Sequence, residues 1–171
     1  MDFLRSFIRD VPDFPKPGVL FKDITPLLAD KKAFRSAINE MARTVRDLKV
    51  DKVVAVESRG FIFGSALSFA LEAGLVIVRK PNKLPYKTTR VEYALEYGND
   101  SLEVHVDSFA KGEKVIIVDD VLATGGTALA TAKLVESAGA SVAAMSFLLE
   151  LEFLHGRQKI KQYSVKSLLT V

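Results

Sequence analysis

One stretch constrains this chain more than any other: Val115-Ile116-Ile117-Val118-Asp119-Asp120-Val121-Leu122-Ala123-Thr124-Gly125-Gly126-Thr127. Its continuous apolar start is the pattern of a strand buried on both faces of a parallel sheet. Two carboxylates end the apolar run, a loop of small residues follows, and the loop opens onto a helical stretch, Ala128–Ser137. That order sets acids, hydroxyls and a helix N-terminus at the carboxyl edge of a strand, where open α/β sheets bind ligands. Glycines let backbone N–H groups approach an oxyanion, and the helix dipole favours its charge. The carboxylates would repel a phosphate, so they suit sugar hydroxyls or a bridging Mg²⁺. The stretch therefore calls for a phosphorylated sugar, with its phosphate on the loop and its ribose over the acids. It is not a nucleotide P-loop, because the Gly-Lys-Ser/Thr ending is missing.

A sheet of this kind needs helices on both faces, and the rest of the chain supplies them. With 171 residues, 49% of them apolar, the sequence fits one domain, 1–171, with a sizeable core. Residues 2–9 read as a short amphipathic helix with Leu4, Phe7 and Ile8 on one face. Val11–Lys22 holds Pro12, Pro15, Pro17 and Gly18 and reads as extended loop, apolar enough to pack on the body or to cover a ligand. Asp30 is a candidate cap for a helix whose stripe is Phe34, Ile38, Met41, Val45 and Leu48. Lys52–Val56 is a second buried strand, ending at Glu57-Ser58-Arg59-Gly60. A helix through Gly64, Leu67 and Leu71 follows, with Gly74 as its C-terminal cap. Leu75–Val78 is the third strand. The alternation argues for right-handed crossovers and a mostly parallel sheet.

Residues 79–90 carry Arg79, Lys80, Lys83, Lys87 and Arg90 and no acid. Pro81 and Pro85 make this stretch a loop or hairpin that leaves the same sheet edge as the acidic loop. Cations there suit an anionic ligand or leaving group. Gly98-Asn99-Asp100 reads as a turn. Leu102, Val104 and Val106 alternate with Glu103, His105 and Asp107, the pattern of a half-exposed strand. Beyond the opening stretch lie a helix ended by Gly139, a buried strand at Ser141–Leu149, a short helix or turn at 151–160, and an edge strand at Tyr163–Leu168.

Several functions are excluded or disfavoured by content. The net charge of +3, from 24 basic and 21 acidic residues, is too balanced to argue for nucleic-acid binding. No window approaches the roughly 18 apolar residues of a membrane helix. The start, Met1-Asp2-Phe3-Leu4-Arg5, lacks a secretory pattern. The absence of cysteine removes thiolate catalysis and fits a reducing compartment. His105 and His155 lack metal-ligand spacing, so a structural zinc site is not expected.

Taken together, these residues resemble the type I phosphoribosyltransferases over essentially the whole chain. Val115–Thr127 is similar to that family's phosphoribosyl-pyrophosphate signature. Phe14–Ile24, Glu57–Phe61 and Leu95–Gly98 resemble segments of its adenine-specific branch. The resemblance implies an α/β fold, a central mostly parallel sheet flanked by helices, with a small N-terminal hood at about residues 1–30 and a mobile catalytic loop at about 81–98. It implies conversion of adenine and 5-phosphoribosyl 1-pyrophosphate to AMP and pyrophosphate with Mg²⁺, the ion being held mainly by substrate and water. A cytoplasmic homodimer working in purine salvage, with no nucleic-acid or membrane partner, is the family pattern. Residue by residue, it implies 5-phosphate binding by Ala123, Thr124, Gly125, Gly126 and Thr127, and ribose binding by Asp119 and Asp120. Ser58 and Arg59 match the pyrophosphate loop, and Arg79, Lys80 and Lys83 match nearby cations. Leu20, Phe21 and Lys22 fall in the adenine hood. Glu96 and Tyr97, with Arg59, take the catalytic positions, and Glu96 is assigned the proton on adenine.

The segment Arg79–Pro85 departs from the family by having Pro81-Asn82 where Arg or Ala followed by Gly is usual. Three other readings stay open at this point: a different purine base on the same scaffold, a non-catalytic sensor of phosphoribosyl pyrophosphate, and a flavodoxin-like nucleotide binder. The hood argues against the first. The second needs a DNA-binding module, for which the ends leave no room. The third leaves Glu57–Gly60 and Arg79–Arg90 unexplained.

Overall fold

The computed structural model describes residues 2–94 and 99–171, so Glu96 and Tyr97 lie outside the described residues. In chain order its elements are α1 (Asp2–Arg5), β1 (Arg9–Pro12), β2 (Leu20–Asp23), α2 (Thr25–Ala29), α3 (Lys31–Val45), β3 (Lys52–Val56), α4 (Gly60–Leu71) and β4 (Gly74–Val78). After these come β5 (Thr88–Ala94), β6 (Asn99–His105), β7 (Lys114–Leu122), α5 (Gly126–Ser137), β8 (Ser141–Glu150), α6 (Gly156–Lys159) and β9 (Val165–Thr170).

The apolar run becomes β7, the centre of a five-stranded parallel sheet ordered β4-β3-β7-β8-β9. Successive side chains on a strand point to opposite faces, and β7 divides accordingly. Ile116 and Val118 join a core with α3 and α4 residues such as Met41, Phe63 and Leu67. Val115 and Ile117 join a second core with Leu134 and Val135 of α5 and Leu102 and Val104 of β6. Both faces are thus covered, which is why the run carries no polar residue until Asp119. Moving along the chain, the sheet grows from β3 outward to β4, then returns to place β7 on the other side of β3. The switch point lies between the carboxyl ends of β3 and β7, where such sheets form a ligand crevice.

Several boundaries differ from the sequence expectations. β7 continues through Asp119 and Asp120 to Leu122 rather than stopping at the acids, and the helix after it starts at Gly126 rather than Ala128. The N-terminal helix ends at Arg5, and Phe7 and Ile8 pack on the core from the segment that follows. Val11–Lys22 is not plain loop: β1 and β2 pair as an antiparallel hairpin, with Asp13 (φ 57) and Gly18 (φ 86) in its connection. Gly74 is not a cap. Glu72 takes the left-handed position (φ 54) that ends α4, and Gly74 begins β4. Asn99 and Asp100 are the start of β6, not a turn. The last strand is shifted to Val165–Thr170. Asp30 does cap α3, accepting from the N–H groups of Lys32 and Ala33 at 2.9 and 2.8 Å.

Candidate functional site

At the switch point a cavity of about 610 Å³ is lined by Leu20, Phe21 and Lys22 of the hood hairpin, by Glu57, Ser58 and Arg59 after β3, by Lys80, and by Asp119, Asp120, Ala123 and Thr127. Beside it, a smaller pocket of about 80 Å³ sits inside the loop Ala123–Thr127 against Phe147. The fold therefore gathers residues from four separated segments at one sheet edge. Arg79 and Lys83 lie one contact further out, tied to Glu57.

The small pocket owes its shape to glycine. Gly125 has φ +77, a conformation costly for any residue with a Cβ. A Cβ on Gly156, the first residue of α6, would lie 2.0 Å from the Ala123 carbonyl oxygen. The loop and α6 meet backbone to backbone, with no side chain between them. The result is a tight turn feeding the N-terminus of the twelve-residue α5, a geometry that favours an anion.

Asp119 and Asp120 point to the cavity from the end of β7. Burial pushes the Asp119 carboxyl well above its usual range, with the neighbouring Asp120 charge adding to it. Asp120 is only 4% exposed. Arg59 Nε lies 2.7 Å from its Oδ2, yet off-line. Among the described residues this buried oxygen accepts no well-directed hydrogen bond. Gly60 lets the start of α4 come close, since a Cβ there would sit 2.8 Å from Asp119 Oδ1. The Arg59 guanidinium also lies 5.3 Å from the centroid of the Phe21 ring, and Phe14 meets that ring edge-on at 5.0 Å. Lys22 is held by Asp10 at 2.6 Å within the hood.

Glu57 was not among the expected site residues, although it organises the cations. Its carboxylate takes Lys83 Nζ at 2.7 Å, Arg79 Nε at 3.2 Å and the Lys80 N–H at 2.9 Å. Burial opposes its charge, but those three donors outweigh it and hold its pKa down at about 2. In the unfolded chain the same carboxyl would titrate near 4.5. The unfolded state thus gains a proton first as pH falls, so this stabilisation is full above that value and is lost as pH drops towards 2. Because Lys83 is 49% exposed in its side chain, solvent screening reduces the contribution to about 2 kcal/mol. Glu57→Gln is expected to lower stability by about that amount at neutral pH, as read by urea unfolding. The gap from the parent should close under acid, and parallel pH curves would rule the account out.

The departure at Pro81-Asn82 has a local explanation. Asn82 adopts φ 64, which asparagine tolerates better than most residues. Its N–H donates to Glu103 Oε2 at 3.2 Å, while the backbones of Arg79 and Glu103 exchange hydrogen bonds at 3.0 and 2.8 Å. The loop is anchored to β6 at both points. Sequence reading also missed Tyr93 and Asp100, which contact Lys80 from the β5–β6 hairpin. Only register across that hairpin brings them there, and local pattern carries no such information.

Known proteins are similar to this chain in sequence and fold. The family described as the phosphoribosyl transferase domain matches residues 25–169. The adenine phosphoribosyltransferase of Thermosipho africanus is 57% identical over 97% of this chain and 98% of its own. That of Pseudothermotoga lettingae is 53% identical over 98% of both. Among solved structures, the adenine phosphoribosyltransferase of Thermoanaerobacter pseudethanolicus superposes with a TM-score of 0.97 at 51% identity, covering 99% of both chains. The Saccharomyces cerevisiae enzyme, complexed with an imino-altritol bisphosphate and adenine, gives 0.93 at 38% identity over 98% of this chain and 97% of that one. On identity, coverage and superposition, the chain belongs to the phosphoribosyl transferase domain family and, within it, to the adenine phosphoribosyltransferases.

Proposed function

We propose that the chain transfers the 5-phosphoribosyl group from 5-phosphoribosyl 1-pyrophosphate to adenine, giving AMP and pyrophosphate. The observation that carries this reading is the buried, under-bonded Asp120 Oδ2 beside the glycine loop. An acceptor left without a directed donor in a buried site is held ready for one, and ribose hydroxyls are donors of the right kind. The 5-phosphate would sit on Ala123–Thr127, and Asp119 and Asp120 would take the sugar hydroxyls. Ser58, Arg59, Lys80 and Lys83, with Arg79 behind them, would face the pyrophosphate. Adenine would lie under Leu20 and Phe21, displacing Arg59 from the Phe21 ring.

In such a reaction positive charge develops on the sugar carbon as the bond to pyrophosphate loosens, as in other glycosyl transfers. The leaving group then gathers negative charge, and the fixed cations stabilise it. The hood keeps water from the sugar carbon. Mg²⁺ would neutralise pyrophosphate oxygens. Among the described residues no three His, Cys, Asp or Glu side chains converge as metal ligands. In this proposal the ion is held chiefly by substrate and water, and Asp119 and Asp120, which line the cavity, are the carboxylates that would support it. The reading makes the chain an enzyme of purine salvage, and a cysteine-free sequence suits the reducing cytoplasm. Among the described residues no helix is long and apolar enough to cross a membrane.

A homodimer is part of the proposal. The edge strand β4 exposes Leu75 (42%) and Ile77 (39%), and α4 exposes Ile62 (40%) and Phe69 (89%). Apolar side chains exposed on an edge strand and on the helix before it favour a like surface. Phe69→Glu is expected to weaken self-association at least about tenfold in sedimentation velocity. An unchanged oligomer would remove this face from the interface.

The test of the activity is incubation of the chain with labelled adenine, phosphoribosyl pyrophosphate and Mg²⁺. AMP formation supports the reading. Transfer to hypoxanthine or guanine but not adenine would overturn it.

A further inference from the structure

We propose that Asp100 is a positioning residue that competes with pyrophosphate for Lys80. The inference rests on the reading of Lys80 as a pyrophosphate-binding cation. It concerns how that cation is held when pyrophosphate is absent and how it is released.

Tyr93 and Asp100 are direct partners across β5 and β6, so their side chains share one face of the hairpin. On that face Asp100 Oδ2 forms an ion pair with Lys80 Nζ. The Tyr93 hydroxyl donates to the same oxygen at 3.1 Å and so fixes its position. Lys80 Nζ stands 3.5 Å from that hydroxyl and 5.9 Å from the centroid of its ring. Tyr93 Oη is also 3.4 Å from Thr127 Oγ1, on the phosphate loop. Lys80 and Thr127 line the main cavity, whereas Asp100 and Tyr93 do not. The lysine therefore stands between an internal carboxylate on one side and the substrate cavity on the other.

Its neighbours are held differently. Arg79 and Lys83 share Glu57, which itself lines the cavity, and Arg59 pairs with Asp120, also a cavity residue. Among the described residues, Lys80 alone of these cations has its counter-charge on the hairpin, outside the cavity. With side-chain exposures of 39% and 23%, the pair is partly solvated and weak enough to exchange. A polyanion entering the cavity takes Lys80 from Asp100. As pyrophosphate leaves, Asp100 takes the ammonium back. The carboxylate thus limits the grip on pyrophosphate and favours its departure.

The experiment uses the full chain and inorganic pyrophosphate with Mg²⁺ as an inhibitor competing with phosphoribosyl pyrophosphate. Asp100→Asn keeps the size and the hydrogen bond to Tyr93 but removes the charge. The inhibition constant for pyrophosphate is expected to fall about fivefold, while Asp100→Glu restores it. Structural damage would move the constant the other way, so an unchanged or raised value in Asp100→Asn overturns the inference. In a Lys80→Gln background the tightening should vanish. If it persists there, the effect is general charge and not exchange at Lys80, and the inference again fails. Absence of AMP synthesis or of pyrophosphate inhibition in the parent would instead count against the functional reading.

Discussion

Gly156→Ala is expected to reduce kcat/KM for phosphoribosyl pyrophosphate by about a hundredfold, chiefly through KM, although residue 156 lies far along the chain from the glycine loop. A methyl group there would lie 2.0 Å from the Ala123 carbonyl oxygen and 2.9 Å from the Gly125 nitrogen. Both are backbone atoms, so no side chain can rotate away. Retreat of α6 is hindered as well. Arg157 holds Glu150, at the end of β8, through Nε at 2.9 Å and a second nitrogen at 2.5 Å, and it also reaches the Val165 carbonyl at 3.1 Å. Arg157 lowers the Glu150 pKa despite burial. The loop is therefore what yields, and its N–H groups leave the positions proposed to hold the 5-phosphate. The overpacking itself should lower stability by about 1–3 kcal/mol. Gly112→Ala is the control. Unlike Gly156 it has a positive φ, +87, but nothing lies within 4 Å of its Cβ, so it should lose about 1 kcal/mol and keep the parent KM. Steady-state kinetics against each substrate read the difference. Parent kinetics in Gly156→Ala would show that the loop does not depend on this contact.

That contact also marks where sequence reading stopped. The apolar run, the acids and the glycine loop were legible because each is a local pattern: an unbroken strand, a switch to acids, and small residues before a helix. Their bounds were not. Asp119 and Asp120 look like a strand end, but β7 continues under them to Leu122. The strand there is covered by neighbours rather than by its own composition. The hood hairpin was hidden by prolines, which are tolerated at the ends of short edge strands, as Pro12 is in β1. Gly74 suits a cap by residue type, because glycine usually fills that place, while Glu72 accepts the left-handed conformation instead. Glu57 was visible as an acid at a strand end. Its hold on Arg79, Lys80 and Lys83, residues 22 to 26 positions away, depends on β3 and β4 lying side by side. Pairings of that kind are set by topology and cannot be read from neighbours in sequence. The same holds for the backbone contact between Gly125 and Gly156, and for Tyr93 and Asp100 on Lys80.

The location of the proton acceptor for adenine leads to the second large effect. The carboxylates lining the main cavity, among the described residues, are those of Glu57, Asp119 and Asp120. Glu57, with a pKa of about 2 and three donors on it, is too weak a base. Asp120, ion-paired with Arg59, is proposed to take a sugar hydroxyl. Asp119 is the serious rival, because burial and its neighbour push its pKa up, and a raised carboxyl near a site is a candidate for proton transfer. It stands, however, on the side of the glycine loop, where the sugar hydroxyls are proposed to bind. Glu96, which lies outside the described residues, remains the proposal that the family resemblance supplies. Glu96→Gln is then expected to lower kcat about a hundredfold, the usual scale for loss of a general acid or base, with affinity for phosphoribosyl pyrophosphate within about twofold of the parent. Asp119→Asn should do the reverse, raising KM for phosphoribosyl pyrophosphate more than it lowers kcat. The pH dependence of kcat separates the two. The acidic limb should flatten in Glu96→Gln and persist in Asp119→Asn. If it flattens only in Asp119→Asn, the proton goes to the buried carboxyl and the assignment to Glu96 is wrong.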